Sequence, residues 1–213
     1  RTICLEAPAL LGGHGHPEVT LHTPSLDLYT GCLEAGDLDG VAALMLRSAD
    51  VLAGAGADFL ISPDNTIHQA LPRVLPRSPL PWLSIADVVA DAVAAAGHRR
   101  IAVTGTRWLV ESDVYPAALA ARGIEAMRPD GDAILEIDRI IMDELVRGSS
   151  TPAARAYVQG VLGRMAAAGA TGAILGCTEL PLLLDDAAAG MNGGPVNGAE
   201  GPVVEAMGGE AAD

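Results

Sequence analysis

Gly176-Cys177-Thr178-Glu179 sets a thiol, a hydroxyl and a carboxylate in succession at the end of the short apolar run Ala173-Ile174-Leu175. Such a run reads as a buried parallel strand. It delivers polar side chains at its C-terminal end, where open α/β sheets bind ligands. Cys4 and Cys32 read as inert core thiols, the usual state of a lone cysteine. Cys177 is set apart by its polar neighbours and by the N–H groups of the helix expected after it. Those donors can lower a thiol pKa and can also hold a carboxylate. Cys177 is therefore the candidate reactive group.

The same pattern occurs earlier. Gly56-Ala57-Asp58-Phe59-Leu60-Ile61-Ser62-Pro63-Asp64-Asn65-Thr66 also runs from a small-residue turn through an apolar stretch into a polar cluster. At an offset of 113 residues (177 − 64), Asp64 falls on Cys177, Asn65 on Thr178 and Thr66 on Glu179. The helical patterns before them, 41–52 and 154–165, coincide as well. A repeated helix-turn-strand unit, each copy ending in a reactive group, implies two similar halves facing across a cleft.

The elements that must position these groups follow from periodicity and punctuation. Helices are expected over 37–53 with Asp37 as N-cap, 68–74 with Pro72 and Pro76 breaking it, 86–96, 111–121, 133–145 and 151–167. Strands are expected at 59–61, 81–85, 101–104 and 124–127, the third opening a second half through Gly105-Thr106. Upstream, 1–11 reads as the tail of a helix, 19–22 as a strand and 23–27 as a loop in which Asp27 either caps the next element or faces the cleft. His68 reads as a residue just behind the site. His14 and His16 sit in a Gly-rich loop with no third ligand at recognisable spacing, so no metal site is expected.

The chain has 213 residues, half of them hydrophobic, and a formal net charge of −14. That charge argues against a nucleic-acid partner, since phosphate binding needs clustered Lys and Arg. It leaves room for an anionic small molecule held by local donors. No apolar run approaches a membrane span, no signal-peptide pattern is present, and three cysteines without framework spacing point to the cytoplasm.

Several motifs fall in one order. Leu175-Gly176-Cys177-Thr178-Glu179-Leu180, Asn65-Thr66-Ile67-His68, Val103-Thr104-Gly105-Thr106-Arg107 with Tyr115 beyond it, and Leu26-Asp27 together resemble the cofactor-independent aspartate/glutamate racemase superfamily over residues 1–186. The resemblance implies an α/β fold of two pseudo-symmetric flavodoxin-like halves with parallel sheets and an interdomain cleft. The halves are expected at 1–96 and 97–186, followed by a flexible Gly/Ala-rich acidic tail at 187–213 in which Val203-Val204 could make a strand stub. It further implies pyridoxal-independent racemisation or epimerisation of an amino acid by α-proton abstraction and return. Cys177 and Asp64 would act on opposite faces. Asn65, Thr66, Thr106 and Thr178 would hold the substrate carboxylate, with Glu179 and Asp27 as polarisers. No cofactor is implied, and relatives are often homodimers.

The departures from the pattern are specific. Asp64 stands where the family carries its first cysteine, and a carboxylate (unperturbed pKa about 3.9) is a weaker base than a thiolate (about 8.5). The Gly-rich strand-loop with which relatives begin is expected to be missing before Arg1, and 187–213 does not resemble their closing strand and helix. No lysine stands near Ile134-Leu135-Glu136, where aspartate racemases often carry one for the side-chain carboxylate, and Arg107 and Arg139 are weak substitutes. Two other readings remain open: a single-cysteine isomerase or decarboxylase of a dicarboxylate-type substrate, and a carboxylate-binding fragment without turnover.

Overall fold

The computed structural model describes residues 2–188 and 203–205. In chain order the elements are α1 (Thr2–Leu11), α2 (Leu26–Glu34), α3 (Leu38–Gly54), β1 (Leu60–Ile61), a 3-10 turn (Thr66–Ala70), α4 (Leu71–Val74), β2 (Trp82–Leu83) and α5 (Ile85–Ala95). They continue as β3 (Arg100–Thr104), α6 (Arg107–Val110), α7 (Val114–Ala120), β4 (Glu125–Met127), α8 (Gly131–Arg139), a π-helical turn (Ile140–Glu144) and a 3-10 turn (Leu145–Arg147). Last come α9 (Pro152–Ala167), β5 (Ala173–Leu175), α10 (Glu179–Ala188) and β6 (Val203–Glu205). Among the described residues they group into two compact units, 2–60 with 72–82, and 61–71 with 83–188 and 203–205.

The first unit is largely helical. Asp37 caps α3 by accepting the Gly40 N–H at 2.8 Å, as the sequence predicts. Val41, Ala42, Met45, Leu46 and Ala49 of α3 are buried at helical spacing, with Leu33 of α2. The 19–22 segment expected as a strand is not one. Val19 and Leu21 stay 58% and 78% exposed, so no sheet face holds them. The loop expected over 23–27 turns helical at Leu26, where α2 begins.

The second unit is built on a four-stranded parallel sheet in the order β4-β3-β5-β6. Its register aligns Ala102 with Met127 and Ala173, Thr104 with Leu175, and Leu175 with Glu205. Alternation along the strands fills both faces. Ala102, Ala173 and Leu175 pack with Ile137 of α8, Val158 and Val161 of α9, and Leu180 and Leu183 of α10. Ile101, Val103 and Ile174 pack with Val89 and Val93 of α5 and with Tyr115 and Leu119 of α7. This is an α/β sheet of flavodoxin-type order, covered by helices on both sides. Its connections diverge between β3 and β5, where such sheets leave their binding crevice.

Two expectations are corrected here. The helix expected over 111–121 begins only at Val114, as α7, after the separate short helix α6. Pro116 would drive its ring into the Ser112 carbonyl of a continuous helix, so the chain breaks at 111–113 and the freed Ser112 carbonyl accepts from Arg128 Nη2 at 2.7 Å. The helix over 133–145 begins at Gly131, capped by Asp130, and widens into the π turn after Arg139. The strand stub expected at Val203-Val204 in the 187–213 tail is present as β6, which pairs in parallel with β5. The expected flexibility of that tail otherwise lies outside the described residues, apart from the last residues of α10.

Candidate functional site

The site is assembled at the C-terminal ends of β3 and β5. Gly176 donates its N–H to the Thr104 carbonyl at 2.7 Å, and Thr104 Oγ1 donates to the Ile174 carbonyl at 3.0 Å. The main chains then run against each other through two glycines. Gly105 has φ +151°, and a Cβ there would lie 3.0 Å from the Gly176 carbonyl oxygen. A Cβ on Gly176 would fall 2.6 Å from the Thr104 carbonyl oxygen and collide with Leu109 Cδ2. This close approach sets the next residues of each strand, Thr106 and Cys177, beside one another.

Thr106 is buried and serves as N-cap of α6, its Oγ1 accepting the Leu109 N–H at 3.4 Å. Its hydroxyl also meets the buried Thr66 hydroxyl at 3.0 Å. Thr66 opens the 3-10 turn that follows Asp64. Asp64 Oδ1 accepts the N–H of Thr66 at 2.8 Å and of Ile67 at 3.3 Å, an Asx-type cap that fixes the turn. Asn65, between them, is 2% exposed. Its Oδ1 accepts from the Tyr115 hydroxyl, while its Nδ2 is buried without a hydrogen-bond partner among the described residues. A buried amide N–H₂ held from behind in this way is a donor ready for an acceptor that arrives with a ligand.

Tyr115 is fully buried in the α5/α7 face of the sheet, and burial pushes its phenol pKa up, so it remains a donor. Tyr115→Phe is expected to lower the unfolding free energy by about 1–3 kcal/mol, because Asn65 Oδ1 loses its donor in a dry site. Urea unfolding measures it, and an unchanged midpoint would contradict the assignment.

Cys177 is partly buried, and its thiol donates to Glu179 Oε2 at 3.0 Å. Thr178, exposed, donates its hydroxyl to the same oxygen at 2.7 Å. Glu179 is the first residue of α10, where a carboxylate also suits the helix dipole. The sequence pointed to a thiol activated by helix N–H groups. The structure places it under the opposite influence. Burial, first, and then the hydrogen bond and charge of Glu179 push the thiol well above its usual range, with the Asp64 carboxylate adding to the effect. The Cys177 side chain is therefore held as the protonated acid.

Of the expected site residues, Asp64, Asn65, Thr66, Thr106, Cys177, Thr178 and Glu179 all lie in the second unit. Asp27 belongs to the first unit. It stands exposed in the first turn of α2, its carboxyl held below the usual range by the Ser25 hydroxyl and then by the Leu28 N–H. Arg139 is committed to Glu136 at 2.7 Å and Glu144 at 2.8 Å. Arg107 stacks on Trp108 and donates its main-chain N–H to Asp138 at 2.8 Å. Two contributions were missed in the sequence: Tyr115 as the support of Asn65, and the Gly105–Gly176 contact. The signal for the first was a tyrosine in an Ala-rich helix of a chain that has only three. Among the described residues, no cluster of His, Cys, Asp and Glu could hold a metal, and no helix is long and apolar enough to cross a membrane.

The doubly covered parallel sheet thus carries a thiol, a carboxylate-capped turn and buried amide and hydroxyl groups at its switch point. The profile of the Asp/Glu/hydantoin racemase family matches residues 2–205, and the chain belongs to that family. Among solved structures it is similar to a candidate Asp/Glu racemase from Yersinia pestis, with 28% identity and a TM-score of 0.78 over 96% of this chain and 84% of that one. It is also similar to an aspartate racemase homologue from Pyrococcus horikoshii OT3, with 26% identity and a TM-score of 0.68 over 85% and 79% of the two chains. An uncharacterised protein of Pectobacterium carotovorum subsp. carotovorum is 33% identical over 105 residues, which are 48% of this chain and 67% of that protein.

Proposed function

We propose that this chain is a pyridoxal-independent racemase or epimerase that moves a proton on the carbon next to a carboxylate, with Asp64 and Cys177 on opposite faces of that carbon. The observation that carries the reading is the buried, unpartnered Asn65 Nδ2 on the turn that Asp64 caps, next to the paired Thr66 and Thr106 hydroxyls, in the unit that also holds the Cys177 thiol and its Glu179 acceptor. The substrate carboxylate would lie against Asn65 Nδ2 and the Thr66 and Thr106 hydroxyls, with Thr178 at the exposed edge. These donors strengthen their hold as negative charge grows on the carboxylate during proton removal. Asp64 takes the α-proton, and the Cys177 thiol gives its own proton to the other face of the resulting carbanion. Glu179, already bonded to the thiol, orients that proton. The reverse turnover starts from the Cys177 thiolate and a protonated Asp64. Unpaired cysteines at 4, 32 and 177 fit a reducing cytoplasm.

The acid state of the thiol also favours a second reading. A single-thiol isomerase or decarboxylase needs only a proton donor for a carbanion, which is the state Cys177 occupies. Incubating candidate amino acids, hydantoins and dicarboxylates with the protein in D₂O separates the two by NMR. Deuterium entry at the α-carbon with inversion is expected. Entry without inversion, or loss of CO₂, supports the second reading. Ligand-induced thermal stabilisation with neither leaves a binding protein and overturns both. In the same assay Asp64→Cys should raise the two-way rate, because it restores a thiol to the weaker base's position. An unchanged or lower rate would remove Asp64 from the acid/base role.

A further inference from the structure

His68 is 4% exposed and makes a hydrogen bond at each ring nitrogen. Nδ1 lies 2.9 Å from the Asp64 carbonyl oxygen, and Nε2 lies 3.3 Å from the Ile85 main-chain nitrogen. The partners dictate the tautomer. A carbonyl can only accept, so Nδ1 carries the proton, and a main-chain N–H can only donate, so Nε2 is bare. Ile85 is the first residue of α5, one of the helix-end N–H groups that need an outside acceptor. Ser84 caps the same helix through Asp87, whose N–H it accepts at 3.3 Å. The imidazole thus joins the turn that carries Asp64 and Asn65 to the start of a helix on the sheet.

We propose that His68 is a positioning residue: in its neutral Nδ1–H form it bridges the Asp64 carbonyl and the Ile85 N–H and fixes the Asp64–Thr66 turn at the site. Its catalytic meaning rests on the proton-transfer reading above, whereas the bridge itself does not. Protonation gives Nε2 a hydrogen, removes its acceptor and sets two N–H groups against each other. The ionisable groups facing the ring are Asp64, on its own turn, and Asp87, on α5. Both favour the charged form, but burial outweighs them and holds the imidazole pKa below its usual value. An unfolded chain binds this proton at about pH 6.5. The bridge therefore stabilises the fold in full above that pH and loses its contribution as pH falls from there toward the lower folded-state value.

The test is carried out on the full chain. Ring ¹⁵N NMR at pH 7.5 should report His68 with Nδ1 protonated and Nε2 bare. Hydrogen exchange, corrected for intrinsic rates, should show Ile85 protection falling by roughly tenfold as His68 titrates, the loss of one hydrogen bond. His68→Asn keeps an amide near the Nδ1 position, so it should retain the Thr66 and Ile67 protection while Ile85 becomes weakly protected and flat below pH 6.5. His68→Leu should lose both, with a roughly tenfold fall in kcat for α-proton exchange and a smaller change in KM; the Asn variant should regain part of it. An Nε2–H tautomer, a cationic ring at pH 7.5, or Ile85 protection that titrates alike in wild type and His68→Asn would overturn the proposal. Absence of α-proton exchange even in the wild type would count against the proton-transfer reading, while the NMR and amide data still decide the bridge.

Discussion

Cys177→Ala should lower α-proton exchange by roughly 10²–10⁴-fold, the usual contribution of a positioned acid or base. At the end of β5 the thiol points its proton at an acceptor within the site, Glu179 Oε2, which it shares with the Thr178 hydroxyl. Alanine removes that proton and leaves Glu179 with the Thr178 hydroxyl alone. The fold should survive, because Cys177 lies at the margin of the α8/α9 core rather than inside it. A far-ultraviolet spectrum and thermal midpoint near those of the wild type would establish that. Exchange retained at the wild-type rate would remove Cys177 from the chemistry. A second consequence concerns pH. Since burial and Glu179 hold the thiol protonated, alkylation of Cys177 by iodoacetamide at neutral pH should lag well behind that of the exposed Cys4.

Gly176→Ala should have the largest effect on stability, a loss of about 2–3 kcal/mol by overpacking. The new methyl would meet the Thr104 carbonyl oxygen at 2.6 Å, and that oxygen belongs to the strand ladder and cannot swing away. Relief requires separating β3 from β5 where Thr106 and Cys177 are set, so activity should fall with stability. Gly163→Ala provides the contrast. It sits in α9 with nothing within 4 Å of a new Cβ, and alanine in a helix interior is favoured over glycine by about 0.5–1 kcal/mol. Equal destabilisation by both substitutions in urea titrations would contradict the steric argument.

Much of the local structure was legible before the fold. The strand that ends in Cys177 and the polar cluster at Asp64, Asn65 and Thr66 follow from apolar runs closed by polar residues, the cap at Asp37 from its place before a helical pattern, and the grouping with Thr106 from the family resemblance. The protonation state of Cys177 was not legible. Its direction depends on how deeply the thiol is buried and on Glu179 turning back toward it, and neither is encoded in local spacing. The break at 111–113 could have been read from Pro116 and the four-residue reach of its clash, had the Ala-rich periodicity not suggested one helix. Val19 to His22 shows the opposite failure. Alternation there resembles a strand, but a strand needs a neighbour, and sequence pattern alone does not supply one.

β5 carries a paired strand on each side, β3 and β6. A strand held by two parallel ladders cannot slip by a residue without turning its whole apolar set over and breaking both rows of bonds. The thiol's height above the sheet is therefore a constant of the architecture. Under the proposed reading, divergence toward new substrates would proceed through groups outside that ladder, such as the exposed Thr178. The thiol stays anchored while the shape of what the site accepts is free to drift.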